Sequence, residues 1–395
     1  MNDFSHYATG EFSRRQVRPV PYYTVPGTSS ERRLAASLRA TFVPHVKRRL
    51  PEHHLCGQRH DWVVRFVERH KARYPYFLTG DIRLFYATVR HEDVVTYLQI
   101  AYRDLCRLEY VPRRFKERFV GPVAAWLREL PVQRGLPVGS ALSGILAPVM
   151  LVPLWLSVKR LYSLPLMVYM DDFLLCARSA AQCAEVYAYI DGCLRDMYDL
   201  ELNREKSRSG RFATGTATFC GWQFAGGYAR IAPAKSEAFR ERIREVCRRT
   251  RKPDTTAFIK RINRKIDGFG HYYKFGHVRA EYRALDRFVR GEVRRWFERT
   301  HGVRLYHVER LSSHGLRTLE GILGTPKGKP RSAGDAGRRL RPVALPPAAP
   351  QGTATALAAE IEAIRELLAL QHKQQTQLLA LVRRQCRLLE RLLDC

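Results

Sequence analysis

Three aspartates at the ends of short apolar runs are the residues of this chain best suited to chemistry. Asp81 ends one run, and Asp171 and Asp172 separate two others, at 167–170 and 173–176. Carboxylates held close together repel one another unless a cation lies between them. Two Mg²⁺ ions about 3.5–4 Å apart would supply that charge, activate a hydroxyl nucleophile and stabilise a leaving pyrophosphate.

The alternative for each aspartate is structural, with the carboxylate only capping a turn. For a lone aspartate that alternative would be preferred. Here a Tyr-x-Asp-Asp segment lies between two apolar runs, about 90 residues after an aspartate that ends a run. This combination favours a metal site.

The runs around these aspartates have the length and composition of short β-strands. Residues 77–82 are expected to form one strand, and 167–170 with 173–176 a hairpin whose tip carries two acids. The remaining elements are expected to be helices at 30–50, 92–130 with an interruption at Pro112, 180–198 and 235–300, and a hairpin of 216–224 and 228–231 that turns at Gly226-Gly227.

A large excess of positive charge indicates a polyanionic partner. The chain has 395 residues with 68 Lys+Arg against 38 Asp+Glu, a formal net charge of +30, and 45% hydrophobic residues, enough for a core. Nucleic acid is the first candidate for the partner, and an anionic membrane surface is the second.

Cysteine usage is that of a protein from a reducing compartment. Nine Cys without a CxxC pair argue against a disulfide scaffold and a zinc ribbon. The nearest approach to a metal-ligand cluster is His53, His54, Cys56 and His60. It lacks a second half at zinc spacing, so a polar, basic loop is the preferred interpretation.

The chain is expected to be cytoplasmic and not to enter a membrane. Its first 15 residues include an acid and lack the apolar segment of a signal peptide. Residues 141–158 reach the minimum length of a membrane span, about 18 residues. They contain Pro148 and Pro153, which favours a buried core helix.

The composition changes near residue 323. Residues 323–354 are rich in Pro, Gly, Lys and Arg and predict a flexible basic linker. Residues 355–395 follow as an uninterrupted helical pattern with apolar residues at heptad spacing, namely Ile361, Ile364, Leu368, Leu378, Val382, Leu389 and Leu392. This pattern favours a self-associating coiled coil, with a long helix docked on its own core as the alternative.

Five segments in order along the chain resemble the motifs of reverse transcriptases, over about residues 20–320. They are Asp81 to Tyr86, Arg134 to Ser143, Tyr169 to Asp172, Leu202 to Lys206, and Phe219 to Trp222. Downstream, FIKRINRKIDGFGHYYKFGH resembles the thumb of group II intron-type enzymes. The compact prokaryotic types (intron-like, retron, diversity-generating and defence-associated) are the nearest in character.

The resemblance implies a role for each matching residue. Asp81, Asp171 and Asp172 would be catalytic and would hold two Mg²⁺ ions, or Mn²⁺, together with Ile82. Residues implied at the nucleotide are Tyr86, Gly139, Ser140, Lys206, Arg32 and Arg33. Residues implied at the template and primer are Gly135, Pro137, Ser143, Phe219, Gly221, Trp222, Tyr272, Tyr273 and Lys274.

Some of these roles are specific and have a structural alternative. In the family, the aromatic at Tyr86 blocks a ribose 2′-OH, and the alternative is core packing. Lys206 would lie near the triphosphate and protonate pyrophosphate. Ser140 could instead cap a helix, and Trp222 could be an ordinary core residue. Val138 departs from the Gln of many reverse transcriptases and resembles diversity-generating enzymes, in which this position bears on fidelity.

The implied fold is α+β, a right-hand polymerase with an antiparallel sheet in the fingers and palm, a helical thumb and a C-terminal coiled-coil helix. The expected regions are an N-terminal segment with fingers at 1–80, palm with finger elements at 81–232, thumb at 233–322, linker at 323–354 and coiled-coil helix at 355–395.

The implied function is RNA-templated DNA synthesis from dNTPs on a dedicated non-coding RNA, in a prokaryotic retroelement or antiphage defence system. Its partners would be an RNA template, a DNA primer and product, and other copies of the chain bound through residues 355–395. One alternative is an oligomeric RNA-binding scaffold with an idle palm. Another is DNA synthesis without a template or from a protein primer.

Overall fold

A computed structural model describes residues 23–57, 61–250, 254–302 and 314–324. The described residues fall into two compact units, the first ending at Cys220 and the second beginning at Gly221. The thumb predicted from 233 begins within the second unit, and the predicted regions stay predictions. The predicted coiled-coil helix at 355–395, nearly all of the predicted linker and His60 lie outside the described residues.

The first unit is mainly helical around one sheet. Its helices are α1 (Ser29–Arg49), α2 (Trp62–His70), α3 (Phe85–Thr88), α4 (His91–Cys106), α5 (Arg113–Phe115), α6 (Gly121–Arg128), α7 (Ser143–Met150), α8 (Val152–Tyr162) and α9 (Ala180–Tyr198), with a 3-10 turn at His54–Cys56 and a π turn at Lys116–Val120. The helices predicted at 30–50 and 180–198 are confirmed, as is the interruption near Pro112.

Side-chain caps start two of these helices where the sequence changes from loop to helix. The Thr28 hydroxyl accepts a hydrogen bond from the Glu31 N–H at 3.0 Å and begins α1. The Ser179 hydroxyl accepts from the Gln182 N–H at 3.1 Å and begins α9. Each hydroxyl satisfies an N–H that has no partner within its own helix.

The sheet of the first unit contains β1 (Tyr76–Asp81), β2 (Leu166–Tyr169), β3 (Asp172–Ala177) and β4 (Arg208–Arg211) in the order β2-β3-β1-β4. Each neighbouring pair is antiparallel. The predicted strand at 77–82 and the predicted acidic hairpin are therefore confirmed. Helix α9 packs against β1, β3 and β4, and the Trp155 ring of α8 lies 5.3 Å from the Phe173 ring of β3.

Helices α7 and α8 hold the most apolar sequence in the described part of the chain. Residues Ser143–Tyr162 form the one described stretch long and apolar enough to cross a membrane, yet 72% of it is buried inside the protein. The prediction of a core helix is confirmed, with a difference. The stretch is two helices that meet at Leu151, between Pro148 and Pro153, because proline removes a helical hydrogen bond.

The second unit begins with the hairpin of β6 (Trp222–Ala225) and β7 (Tyr228–Ile231), which is antiparallel. Three long helices follow, α10 (Pro233–Arg249), α11 (Thr255–Tyr273) and α12 (Arg279–His301), and then one helical turn at Leu319–Ile322. The helical pattern predicted for 235–300 is confirmed.

The predicted strand at 216–224 is wrong as a single element. It is two strands, β5 (Thr216–Phe219) in the first unit and β6 in the second. The break lies at Cys220 and Gly221, which have φ values of 49° and 80°. Two consecutive residues in the left-handed region cannot continue an extended strand.

Candidate active site

Strand register brings two of the three predicted aspartates face to face. Asp81 at the end of β1 is the direct partner of Asp172 at the start of β3, and Asp172 is also paired with Tyr169 of β2. Directly opposite residues of antiparallel strands have Cβ atoms about 4.5–5.5 Å apart. Asp171 precedes Asp172 in the hairpin turn, so the structure gathers all three acids at one end of the sheet.

The closeness of these acids shows in their acidity. Burial raises the pKa of Asp171 to about 6, and the charge of Asp81 adds to the rise. The pKa of Asp172 is raised as well, first by burial and then by the charges of Asp171 and Asp81. The cluster therefore gains protons or a cation more readily than ordinary carboxyl groups do.

The donor chemistry of the cluster fits a hard divalent cation. Carboxylate oxygens are the ligands that Mg²⁺ prefers, and a cation would offset the mutual repulsion. Within the described ranges no three His, Cys, Asp or Glu side chains already enclose a metal position. Asp81 Oδ2 instead accepts from Lys206 Nζ at 3.0 Å and from Asn203 Nδ2 at 3.2 Å. The Lys206 ammonium thus supplies positive charge at Asp81.

The segment from Leu202 to Lys206 is fixed beside Asp81 by its backbone. The Asn203 N–H donates to the Asp81 carbonyl at 2.7 Å, and Ile82 forms an antiparallel bridge with Leu202. Burial alone would lower the pKa of Lys206, but the hydrogen bond to Asp81 and the charges of the three acids raise it overall. Lys206 therefore lies at the acid cluster, and its predicted contact with the triphosphate stays a prediction.

Ile82 differs from the other predicted metal residues. Its side chain is 1% exposed and carries no donor atom. Any oxygen that Ile82 offers to a cation is therefore its backbone carbonyl.

The turn that carries Asp171 is strained. Met170 has φ of 56°, a region that costs an L-residue about 1–2 kcal/mol. The turn is braced from a distant segment. The Glu52 carbonyl accepts from the Val168 N–H at 3.1 Å, and His54 Nδ1 accepts from the Met170 N–H at 3.1 Å.

The histidines at 53 and 54 were not recognised by sequence reasoning as part of this site. The preferred polar, basic loop is wrong, because His53 is fully buried and burial lowers its pKa well below the usual range. Burial also lowers the pKa of His54 to about 4. The Cys56 thiol donates to the Leu50 carbonyl. No local pattern reveals the role of His54, since its partner Met170 lies more than 100 residues away.

Tyr86 lies on α3, within the electrostatic reach of the acids. It is half-buried, and burial, followed by the charge of Asp171, raises the pKa of its phenol. The hydroxyl therefore stays protonated and uncharged near the acid cluster. Its predicted role against a ribose 2′-OH stays a prediction.

Gly135, which the resemblance implies at the template and primer, lies close to the protein's own backbone. A Cβ at Gly135 would lie 2.8 Å from the Tyr86 carbonyl oxygen, and its φ is 83°. Leu136 N–H donates to that same carbonyl at 2.7 Å. Gly135 thus lets the loop after Arg134 dock on α3.

The Ser140 side chain is hydrogen-bonded to a buried acid, Glu31, which the sequence did not indicate as part of the site. Its hydroxyl donates to Glu31 Oε1 at 2.7 Å and accepts from the Ser143 N–H at 3.1 Å. The second bond caps the start of α7, which is the alternative considered for Ser140. Glu31 also accepts from the Leu142 N–H at 3.3 Å, and it is 4% exposed.

The other predicted residues of this loop differ in accessibility. Pro137 is buried, and Ser143 is 1% exposed with no hydrogen-bond partner for its Oγ among the described residues. Gly139 is exposed and has open space where a Cβ would stand. Gly139 is therefore the member of this set that a ligand could reach most easily.

Arg32 and Arg33 are both exposed on the first turn of α1. Arg32 donates to the Gly27 carbonyl at 3.3 Å and to the Ser29 hydroxyl at 3.4 Å. These are weak local bonds, which leave both guanidinium groups accessible to an anion.

The residues predicted at the primer are mostly buried. Phe219, in the first unit, is 4% exposed. In the second unit Trp222 is fully buried, with its ring 6.1 Å from the Tyr272 ring and 5.0 Å from the Tyr273 ring. Trp222 thus matches the core-packing alternative.

Gly221 has no room for a side chain. A Cβ there would lie 2.5 Å from the Tyr273 hydroxyl, at φ of 80°. Lys274 and its neighbour Phe275 are exposed, with Lys274 Nζ 5.3 Å from the Phe275 ring centre.

Two helices of the second unit differ in how their charges are paired. On α10, arginines pair with glutamates of the same helix, as in Arg248 with Glu241 at 2.5 Å and Arg249 with Glu245 at 2.8 Å. Helix α11 carries an exposed cationic face of Lys260, Arg261, Arg264 and Lys265, and none of these forms an ion pair with the described residues. Unpaired cations in a row suit a phosphate backbone.

Two protein families match parts of the chain. Residues 236–310 match the family described as group II intron, maturase-specific domain. No curated protein matched the chain.

Among solved structures, the chain is similar to telomerases. To apo telomerase from Candida tropicalis it has 12% identity and a TM-score of 0.44, covering 76% of this chain and 54% of that one. To telomerase from Candida albicans in complex with a TWJ fragment of telomeric RNA it has 11% identity and a TM-score of 0.41, covering 71% and 49%. The chain spans about half the length of these telomerase chains.

Residues 13–224 match the family described as reverse transcriptase (RNA-dependent DNA polymerase). This stretch is more than half of the 395-residue chain and contains all three aspartates of the cluster. The protein therefore belongs to the reverse transcriptase family.

Proposed function

We propose that this protein is an RNA-directed DNA polymerase that joins dNTPs to a primer by metal-dependent nucleotidyl transfer. The observation that carries the proposal is the cluster of Asp81, Asp171 and Asp172, in which two acids face each other across strands and all three are half-buried. Such a cluster is costly to keep unless it does chemistry.

Bound divalent cations would lower the pKa of the primer 3′-hydroxyl and neutralise charge on the phosphates. The three carboxylates would hold them, because they supply oxygen donors from the neighbouring strands β1 and β3 and from the turn that joins β2 to β3. Lys206 lies on the same cluster and is kept protonated by it. Its ammonium can therefore contact the triphosphate and give a proton to departing pyrophosphate.

We further infer that the second unit holds a nucleic-acid duplex. Its support is the unpaired cationic face of α11 and the exposed Lys274 next to Phe275. The net charge of +30 favours binding to a structured RNA. A dedicated non-coding RNA of a prokaryotic retroelement or defence system is the template we propose.

Primer extension by the purified protein tests the activity. We expect templated DNA on an RNA template with Mg²⁺ and dNTPs, and sequencing of the product to return the complement of the template. Absence of synthesis across several primer–template pairs would contradict the proposal. A product unrelated to the template would instead show untemplated synthesis.

A further inference from the structure

A short segment before α2 supports the turn that carries Asp171. The Glu52 carbonyl accepts from the Val168 N–H on β2, and His54 Nδ1 accepts from the Met170 N–H in the turn itself, each at 3.1 Å. The His54 ring also lies 5.2 Å from the Tyr169 ring. Residues 168–170 of the hairpin are thus all contacted by one distant segment.

The Met170 N–H is the hydrogen-bond donor of this turn that most needs an acceptor from outside the hairpin. Tyr169 and Asp172 are paired across the hairpin, so Met170 and Asp171 form a two-residue loop. Of these two, Met170 is the one with positive φ, a pattern typical of turns that prefer glycine at this position. An L-residue stays in such a conformation only where its surroundings hold it there.

The His54 ring is held in place through its neighbour His53. His53 Nδ1 accepts from the Leu55 N–H at 3.2 Å, and the Cys56 N–H donates to the His53 carbonyl at 3.0 Å. The His53 and His54 rings stack, with centres 4.8 Å apart and planes 27° apart. A ring fixed in this way presents its Nδ1 at one defined point.

We propose that His54 is a positioning residue of the polymerase site, which holds the strained Met170 turn through its Nδ1 and thereby aims Asp171. This inference rests on the proposed polymerase function for its kinetic consequences only. The hydrogen bond and its effect on the turn can be measured in protein that makes no DNA.

Isosteric replacements separate the hydrogen bond from the bulk of the ring. Asn places its Oδ1 as many bonds from the backbone as His places Nδ1, so His54→Asn keeps the acceptor. His54→Phe keeps a ring and removes the acceptor, and His54→Gln moves the acceptor one bond further out. His45→Phe is the matched control, because His45 is also half-buried but lies on α1 beside Cys106.

In primer extension we expect His54→Phe to lower kcat about tenfold with little change in the KM for dNTP. His54→Asn should recover most of kcat, His54→Gln should not, and His45→Phe should match the wild type. A His54→Phe enzyme as fast as the wild type would overturn the proposal. So would a His54→Asn enzyme as slow as His54→Phe, since a lost acceptor would then not be the cause.

Hydrogen–deuterium exchange of the Met170 amide supplies a second readout that needs no activity. We expect this amide to exchange about ten times faster in His54→Phe than in the wild type, and to regain protection in His54→Asn. Equal exchange in the wild type and His54→Phe would overturn the proposal. If the wild type made no DNA but the variants still showed this exchange pattern, the proposed function would be wrong. The role of His54 in holding the turn would remain supported.

Discussion

Carboxyl groups in two regions of this protein have pKa shifts of opposite sign. At the end of the first unit's sheet, burial and neighbouring acids raise the pKa of Asp171. On the surface of α10, hydrogen bonds from Arg240 and then Arg244 lower the pKa of Glu237. The α10 acids meet cations of their own helix, whereas the charges of neighbouring acids raise the pKa of Asp171 and Asp172 more than the Lys206 ammonium at Asp81 lowers it. This difference distinguishes a site that would gain from an added cation from a surface whose glutamates already pair with arginines of the same helix.

The largest expected effect comes from removing the charge of an aspartate in the acid cluster. Asp171→Asn and Asp172→Asn should each reduce DNA synthesis by about 10³-fold or more, because the cation would lose a ligand that nothing replaces. Steady-state primer extension measures this. Glu241→Gln on α10 is the matched control and should retain activity. Wild-type rates in either aspartate variant would remove the basis for the site.

The cations of α10 and α11 extend the comparison to nucleic-acid binding. Arg264→Gln with Lys265→Gln removes two unpaired charges from α11. Arg248→Gln with Arg249→Gln removes two charges from α10 that are already paired with glutamates. Both double variants change the net charge by the same amount, so the long-range field changes equally.

We expect only the α11 variant to weaken binding of an RNA–DNA duplex. Its plot of log K against log salt should become shallower by about two units, one for each lost phosphate contact. Fluorescence anisotropy across a salt series measures the slope. An α10 variant that loses as much as the α11 variant would show that position on the helices is irrelevant.

The sequence predicted the acid cluster well because its signal is local. An aspartate at a strand end and two at a hairpin tip are visible in the residue pattern, and register then brings them together. The fold class, an α+β right-hand polymerase, is confirmed by the family match together with the antiparallel sheet and the helices around it. The regions proposed as fingers, palm and thumb remain predictions.

The supports of the site could not be predicted in the same way. His54 and Glu31 act on partners more than 100 residues away, and neither stands in a pattern that reveals the partner. Trp222 is the opposite case, because it stands in a recognisable motif but its position in the fold differs from what the motif indicates. Its motif indicated a primer contact, but its surroundings of Tyr272 and Tyr273 bury it completely. Long-range packing decides such cases, and sequence spacing carries little information about it.

The dependence of stability on pH tests the raised pKa values of Asp171 and Asp172 directly. A carboxyl group with a folded-state pKa above its unfolded value stabilises the protein below pH about 4, and this contribution is lost as pH rises through the folded-state pKa. For Asp171 that loss should fall between pH about 4 and about 6, and Asp172 should extend it to higher pH. Metal-free protein should therefore lose stability over this range through these two groups.

The measurement is the urea midpoint of the wild type and Asp171→Asn at pH 5 and pH 8 in the presence of EDTA. We expect the variant's advantage over the wild type to be larger at pH 8, and Mg²⁺ to raise the wild-type midpoint there. An advantage that is the same at both pH values would contradict mutual repulsion among the acids.

The smallest expected effects are changes in stability that separate the burial of a carboxylate from its closeness to other carboxylates. Glu31 is as deeply buried as any acid of the cluster, yet its side chain contacts the Ser140 hydroxyl and the Leu142 N–H, and no second carboxylate of the described residues bonds with it. Glu31→Gln keeps Oε1 as an acceptor and should change stability little, whereas Glu31→Ala should cost about 1–3 kcal/mol by leaving buried donors unpaired. Glu237→Gln on α10 should leave the urea midpoint unchanged, since its partners are exposed and screened by solvent. If Glu31→Gln were instead as damaging as Glu31→Ala, the charge of Glu31 would matter in its own right, and crowding by other carboxylates would no longer be what distinguishes the acids of the site from Glu31.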